Sequence, residues 1–376
     1  MLRQLARLTR SVRAARGAAA IAVYADAAGV PITATDRGHE GVACVDDAAR
    51  ALALLCDLWT ATRFPVIRVW ADALLEFVLY MQDGDGRLVN FISDWSGTRN
   101  EDGPTSFATA GSFWHARGVQ GIARASVTFD DARVRDALAR GMAQVRGAPA
   151  PANVRAVHVL TAVDLLRSGG TAELRTDLEA WCAELVMCRR DGVLFDDPDQ
   201  TEPHLWAHVQ EGALADAGAY LGRDDLVQAA RRSALRYLAP VIDSGFDLPS
   251  MQPYGVASAL FGVERLAAVT GERRFAELAE RARAWFHGSN PAGRPVYDRA
   301  AGRVHDGIDA GVLNGHSGAE SNISAAQALF SEVTVSAVAH RTALERLLPG
   351  SLSLAGPLPD AHSGSTPVST RAERIR

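Results

Sequence analysis

Small-residue helical stretches alternate with charge-studded ones through most of this chain, and that alternation restricts what it can fold into. Phe107-Ala108-Thr109-Ala110-Gly111-Ser112-Phe113-Trp114-His115 and Tyr254-Gly255-Val256-Ala257-Ser258-Ala259-Leu260 carry small or aromatic residues on every side. Asp130-Asp131-Ala132-Arg133-Val134-Arg135 and Glu272-Arg273-Arg274-Phe275-Ala276-Glu277 carry charge. A helix covered on both sides needs the first composition, and one half-facing water needs the second. Helical periodicity and turn residues predict helices at 47–61, 65–82, 106–126, 130–146, 152–167, 172–188, 207–221, 224–239, 254–270, 273–287 and 318–345. With an N-terminal segment this makes about twelve helices in antiparallel hairpins. Short strands are expected around 21–34, 87–92, 293–298 and 303–306, none long enough to need a sheet of its own. No fixed repeat marks a solenoid. The expected architecture is an all-α, two-layer helical toroid over residues 1–348. Residues 349–376, rich in Gly, Pro, Ser and Thr, are expected to be a disordered tail.

The chain has 376 residues, 48% of them hydrophobic, enough for a large buried core. A net charge of −5 gives no basic footprint for nucleic acid. No apolar run is long enough to span a bilayer. Arg3, Arg7, Arg10, Arg13 and Arg16 precede the apolar run Ala18–Ala25, as in a signal peptide. Leu2, Leu5, Leu8 and Val12, however, recur at helical spacing, which favours a first amphipathic helix and a cytoplasmic protein. Cys44, Cys56, Cys182 and Cys188 form no C-x-x-C pair and are expected to be buried free thiols.

The junction Glu40-Gly41-Val42-Ala43-Cys44-Val45-Asp46-Asp47-Ala48-Ala49-Arg50 concentrates three carboxylates and an arginine at a helix start. Free backbone N–H groups and the helix dipole favour Asp there. One reading makes Asp46 an N-cap, with Arg50 pairing across i+3 and i+4. The sharper reading turns one carboxylate into a cleft as acid or base. Adjacent helical residues point ~100° apart, so only one of Asp46 and Asp47 is expected to face it.

Other junctions carry similar polar groups. Asn90 and Phe91 precede Arg99-Asn100-Glu101-Asp102 and the Trp114-His115 helix start. Glu202-Pro203-His204-Leu205-Trp206-Ala207-His208-Val209-Gln210-Glu211 packs two histidines, a tryptophan and two glutamates together. Tyr254 opens a helix; His305, Asp306, Asn314, His316 and Glu320 cluster late in the chain. Aromatic rings beside carboxylates, amides and histidines suit sugars, whose ring faces stack while hydroxyls take hydrogen bonds. Candidate sugar contacts are therefore Glu40, Arg50, Asn90, Glu101, Asp102, Trp114, His115, Trp206, His208, Gln210, Tyr254, Asp306, Asn314 and His316. His204 and His208, at i and i+4, have the spacing of a zinc pair, but there is no H-E-x-x-H and no metal or cofactor is called for.

Val45-Asp46-Asp47-Ala48-Ala49-Arg50-Ala51 and Asn314-Gly315-His316-Ser317-Gly318-Ala319-Glu320-Ser321 resemble the V-D-D-x-A-R-A and N-x-x-x-G-A-E-S motifs of bacterial proteins labelled glycosyltransferase- or glycosyl-hydrolase-like. These lie within the six-hairpin (α/α)6 glycosidase-like superfamily. Asn90-Phe91, Asn100-Glu101-Asp102 and Trp285-Phe286-His287-Gly288-Ser289-Asn290 fit the same pattern, so the resemblance covers residues 38–330. Ala48 departs from it, standing where asparagine is common, and no G-R follows Glu101. The resemblance implies an (α/α)6 toroid with an acidic groove at one end and inverting chemistry. Asp46 or Asp47 would be the base and Glu320 the acid, with Glu101 and Asp102 in reserve.

Three functions are open at this point. The first is an inverting glycoside hydrolase acting on an oligo- or polysaccharide through two carboxylates. The second is a sugar isomerase or epimerase working through His115, His204, His208 or His316. The third is a carbohydrate-binding accessory protein whose groove does not react.

Overall fold

The computed structural model describes residues 1–32 and 40–352. Its helices are α1 (Leu2–Leu8), α2 (Val45–Thr62), α3 (Pro65–Tyr80), α4 (Phe113–Thr128), α5 (Ala132–Gly147), α6 (Ala152–Arg167), α7 (Ala172–Met187), α8 (Gln210–Leu221), α9 (Asp224–Ser233), α10 (Ala239–Asp243), α11 (Pro253–Thr270), α12 (Arg273–Phe286), α13 (Ala319–Ala328), α14 (Phe330–Ala339) and α15 (Arg341–Leu347). Helices α2, α4, α6, α8, α11 and α13 each pack on the next, and α13 returns to α2. This closed inner ring is wrapped by α3, α5, α7, α9, α12 and the α14–α15 pair, which makes an all-α (α/α)6 toroid. Helix α1 packs on α13 and α15.

Composition separates the layers as the alternation requires. Inner α8 buries Gln210–Gly218 without a break, whereas outer α12 buries only one stripe: Phe275, Leu278, Ala279, Ala282, Trp285 and Phe286. Gly41, just ahead of the inner ring, explains another small residue. A Cβ there would stand 2.3 Å from the Ile92 carbonyl oxygen. That carbonyl accepts the Val42 N–H at 2.9 Å, so it is fixed. Backbone packing, and not room for a ligand, demands glycine at this position. Gly41→Ala is expected to destabilise the fold by about 1–3 kcal/mol, seen as a lower denaturant midpoint at unchanged m-value.

Several element boundaries differ from expectation for identifiable reasons. The 106–126 helix begins only at Phe113, where Ser112 Oγ accepts the His115 N–H. The 207–221 helix begins at Gln210. The 224–239 helix continues through a π-turn at Ala234–Leu238 into α10, because Pro240 has no N–H to donate back along the chain. The 318–345 helix is three helices, broken at Leu329 and His340. The N-terminal helix stops at Leu8, and Thr9–Ser11 pairs instead with Ala19–Ile21.

Strands are two or three residues long and tie the loops together. Ala43–Cys44 pairs with Phe91–Ile92, and Tyr297–Asp298 with Arg303–Val304. Over 21–34 the described residues past Ile21 form only isolated bridges, Ala22 to Ala43 and Ala25 to Pro31. Two pairings were not foreseen: Arg189–Arg190 with Val193–Leu194, and the hairpin Gly307–Asp309/Val312–Asn314, which Ser250–Met251 joins. At the start of the expected tail, Gly350–Leu352 makes a 3-10 turn with Leu352 buried; the rest of it, residues 353–376, lies outside the described residues. All four cysteines are free thiols, Cys188 only half-buried. Among the described residues no helix is long and apolar enough to cross a membrane.

Candidate active site

The N-terminal ends of five inner helices, and the loop leading into the sixth, α8, open onto one cavity of about 1130 Å³. It is bounded by Asp46, Asp47 and Arg50 of α2, Phe113 and Trp114 of α4, and Asn153 of α6. Trp206 ahead of α8, Tyr254 of α11 and Glu320 of α13 complete the ring. A helix N-terminus carries partial positive charge and unpaired N–H groups, so this rim tolerates carboxylates unusually well.

Three carboxylates converge on Arg50, which is 9% exposed. Its Nη2 contacts Asp47 Oδ1 at 2.6 Å and Glu320 Oε1 at 3.0 Å; its Nε lies 3.0 Å from Asp46 Oδ1. Arg117 donates a second ion pair to Asp46 Oδ1 at 2.6 Å. Two guanidiniums therefore face three carboxyl groups, so full ionisation of all three would leave one negative charge uncompensated. The environments push the two aspartates apart. Burial raises the Asp46 carboxyl, but Arg117 and Arg50 outweigh it and hold Asp46 below the usual range. Burial raises Asp47 further than Arg50 lowers it; with repulsion from Glu320 and Asp46 added, Asp47 is pushed up to about 7.

Neither aspartate is the N-cap. That role falls to Cys44, whose Sγ accepts the Asp47 N–H at 3.4 Å. Both aspartates line the cavity, because they sit in the end turn of a helix viewed end-on. The expectation that only one would face it is corrected. Asn90 fixes this turn: its Oδ1 accepts the Asp46 N–H at 3.2 Å and its Nδ2 donates to the Thr105 carbonyl at 3.0 Å.

Across the ring, the loop before α8 brings in Asp196, Asp197, Gln200, His204 and Trp206. His204 Nε2 stands 2.7 Å from Asp196 Oδ2, and Gln210 Nε2 donates to Asp196 Oδ1 at 2.6 Å. Trp206, 37% exposed, makes a T-shaped contact with Phe113, ring centroids 4.7 Å apart, and Arg117 lies over the Phe113 ring at 5.3 Å. One continuous set of contacts thus runs from Asp46 through Arg117 and Phe113 to the exposed tryptophan.

Solved structures with the same closed ring are numerous. A cellobiose 2-epimerase from Bacillus thermoamylovorans B4167 superposes with a TM-score of 0.67 at 11% identity, covering 88% of this chain and 96% of its own. The chain has the six-hairpin glycosidase-like fold. A D-mannose isomerase gives a TM-score of 0.65 at 8% identity over 89% of this chain and 95% of that one. A family 76 glycoside hydrolase from a bovine Bacteroides thetaiotaomicron strain gives 0.60 at 10% identity over 89% and 76%. No protein-family model matches the chain, and no curated protein matches it by sequence.

Within this toroid the sequence candidates divide cleanly. Asp46, Asp47, Arg50, Asn90, Trp114, Trp206, Tyr254, Asp306, Asn314 and Glu320 all line the cavity. Glu40, Glu101, Asp102, His115, His208, Gln210 and His316 do not. Glu40 instead accepts the Thr105 N–H at 3.1 Å and pins that loop. Glu101 is exposed and pairs with Arg99 at 3.2 Å, and Asp102 is exposed, so the reserve pair stays outside.

His115 is buried with Nε2 3.2 Å from the Gly86 carbonyl; burial lowers its pKa to about 4. His208 is buried against Glu211 at 2.9 Å, and His316 is exposed. His204 and His208 therefore serve different carboxylates and make no zinc pair. Among the described residues no group of His, Cys, Asp and Glu is arranged to hold a metal ion. Gln210 acts behind the wall by positioning Asp196. Sequence reading passed over Asp196, Asp197, Gln200, Phe113 and Arg117. For Asp196, Asp197 and Gln200 the signal was present in Phe195-Asp196-Asp197-Pro198-Asp199-Gln200, another acidic loop running toward an inner helix.

Proposed function

We propose that the chain is a carbohydrate-active enzyme and hydrolyses a glycosidic bond, with Asp47 as general acid and Glu320 as the reacting carboxylate. The observation carrying this reading is the single Arg50 nitrogen shared by Asp47 and Glu320 inside an aromatic-rimmed cavity. Glycoside hydrolysis needs two carboxyls in opposite protonation states, and groups whose surroundings drive their pKa values apart are the usual source. Asp47, pushed up to about 7, keeps its proton near neutrality. Glu320 is one-third exposed, lines the cavity and meets Arg50 through Oε1, which leaves its carboxylate within reach of a bound sugar. Asp46, tied to two arginines, balances charge beside them. This assignment reverses the roles that the resemblance implied.

The spacing also argues against inversion. Asp47 Oδ1 and Glu320 Oε1 lie 2.6 and 3.0 Å from one nitrogen, so they stand closer together than the sum of those distances. An inverting pair stands roughly 6.5–9.5 Å apart to admit water, while a retaining pair stands roughly 5–5.5 Å apart. The first-formed sugar is therefore expected to keep the anomeric configuration of the bond cleaved. Proton NMR during the first minutes of digestion checks this, and the opposite anomer would remove Glu320 as nucleophile.

The sign of the pH dependence follows from Asp47. A carboxyl whose pKa is raised in the folded protein donates its proton only below that value. Turnover is expected to fall as pH rises through about 7, and a pH–rate profile measures it. A flat profile from pH 6 to 8 would remove Asp47 as the acid.

One observation favours a second reading. His204 and Asp196 form an acid–base pair inside the cavity, and two of the similar structures are a sugar epimerase and a sugar isomerase. Of the four histidines first considered for that chemistry, His204 alone lines the cavity, whereas paired proton transfer needs two.

A further inference from the structure

We propose that the wall formed by Asp196, Asp197, His204 and Trp206 is a second sugar subsite that admits uncharged sugar units and rejects anionic ones such as uronic acids. The inference rests on the cavity being a sugar site, and it names the class of sugar. Inner helices α2 and α8 stand three places apart in a ring of six, so this wall faces the Arg50 cluster across the opening. Trp206 lines the cavity and stays partly exposed, held in place by its T-shaped contact with Phe113. Flat apolar rings of this kind stack on the apolar face of a sugar.

The charges around that platform carry the selectivity. Asp46, Asp47, Asp196, Asp197, Asp306 and Glu320 line the cavity, against Arg50 and His204. Arg50 and the neighbouring Arg117 are already committed to Asp46, Asp47 and Glu320. Asp196 has Gln210 and His204 as partners, and among the described residues the Asp197 side chain accepts a backbone N–H, that of Asp199, at 2.9 Å and pairs with no cation. Among the described residues no uncommitted arginine lines the cavity to receive a sugar carboxylate or sulfate. Hydroxyls, by contrast, find acceptors all round, and an acidic wall donates specificity chiefly by repulsion.

Isothermal calorimetry on the full chain tests this with neutral cello- and manno-oligosaccharides and the same oligosaccharides oxidised to a terminal uronic acid. The uronates are expected to bind about tenfold or more weakly at low salt, with the gap narrowing at high salt. Asp197→Asn, at an exposed position that does not threaten the fold, and Asp196→Asn should both narrow the gap. Trp206→Ala should weaken neutral and oxidised ligands alike. Uronates binding as tightly as neutral sugars, or a gap insensitive to salt and to both asparagine variants, would overturn the inference. Selective binding without bond cleavage would keep it and remove the hydrolase reading; equal cleavage of uronate-bearing substrates would do the reverse.

Discussion

Glu320→Gln is expected to lower turnover by about 10²–10⁴-fold while leaving the folded state intact. Glutamine keeps the shape and one acceptor for Arg50 but loses the charge that makes the carboxylate reactive. The fold should tolerate the change because Asp47, freed of repulsion from Glu320, can ionise and keep Arg50 paired. Repulsion from Glu320 also contributes to the raised Asp47 pKa, so the variant should move the residual pH profile to lower pH. Turnover and thermal midpoint measured on one preparation separate these effects. Unchanged turnover would exclude Glu320 from the chemistry; a collapsed midpoint would make its role structural.

Arg50→Met is expected to cost about 3–5 kcal/mol of stability at pH 7, measured by denaturant titration. Arg50 is nearly buried and is the common partner of three carboxylates. Asp46 would keep Arg117, but Asp47 and Glu320 would lose the one ion pair that the described residues give them. Methionine preserves most of the packing volume, so the loss reports charge more than cavity. The deficit should shrink when Asp47→Asn is added, because one of the stranded carboxyls is then gone. A cost below about 1 kcal/mol would mean that the cluster behaves as an exposed salt bridge.

The fold was legible where the chain repeats a physical requirement. Helices covered on both faces must be small-sided, and those half-facing water must be striped, so the alternation of segments such as 254–270 and 273–287 reports the two layers directly. Boundaries were less legible, since a cap such as Ser112 or a proline such as Pro240 acts through one hydrogen bond made or missing. Pairings of two residues, such as Arg189–Arg190 with Val193–Leu194, carry no periodicity to detect.

The site was readable to the extent that residue type determines placement. Asp46, Asp47, Arg50 and Glu320 meet because each opens an inner helix at the same end of the ring. The histidines were misleading for the opposite reason. His115 and His208 each lie within one helical turn of cavity residues, yet they point to Gly86 and Glu211 in the interior, and a sequence gives composition at a junction without direction. The small residues at 41–49 likewise answered to backbone approach at Ile92 and to helix packing.

Water cleaving a glycosidic bond at the Arg50 carboxylate cluster leaves a label that can be read. Digestion of a neutral oligosaccharide panel in ¹⁸O-labelled heavy water, followed by NMR and mass spectrometry, should place one ¹⁸O at each new reducing end with retained configuration and no deuterium on sugar carbon. With Glu320→Gln the labelled products should fall to the level of the slowed turnover. Deuterium entering carbon without bond cleavage, or ¹⁸O incorporation undiminished in that variant, would exclude hydrolysis at this cluster.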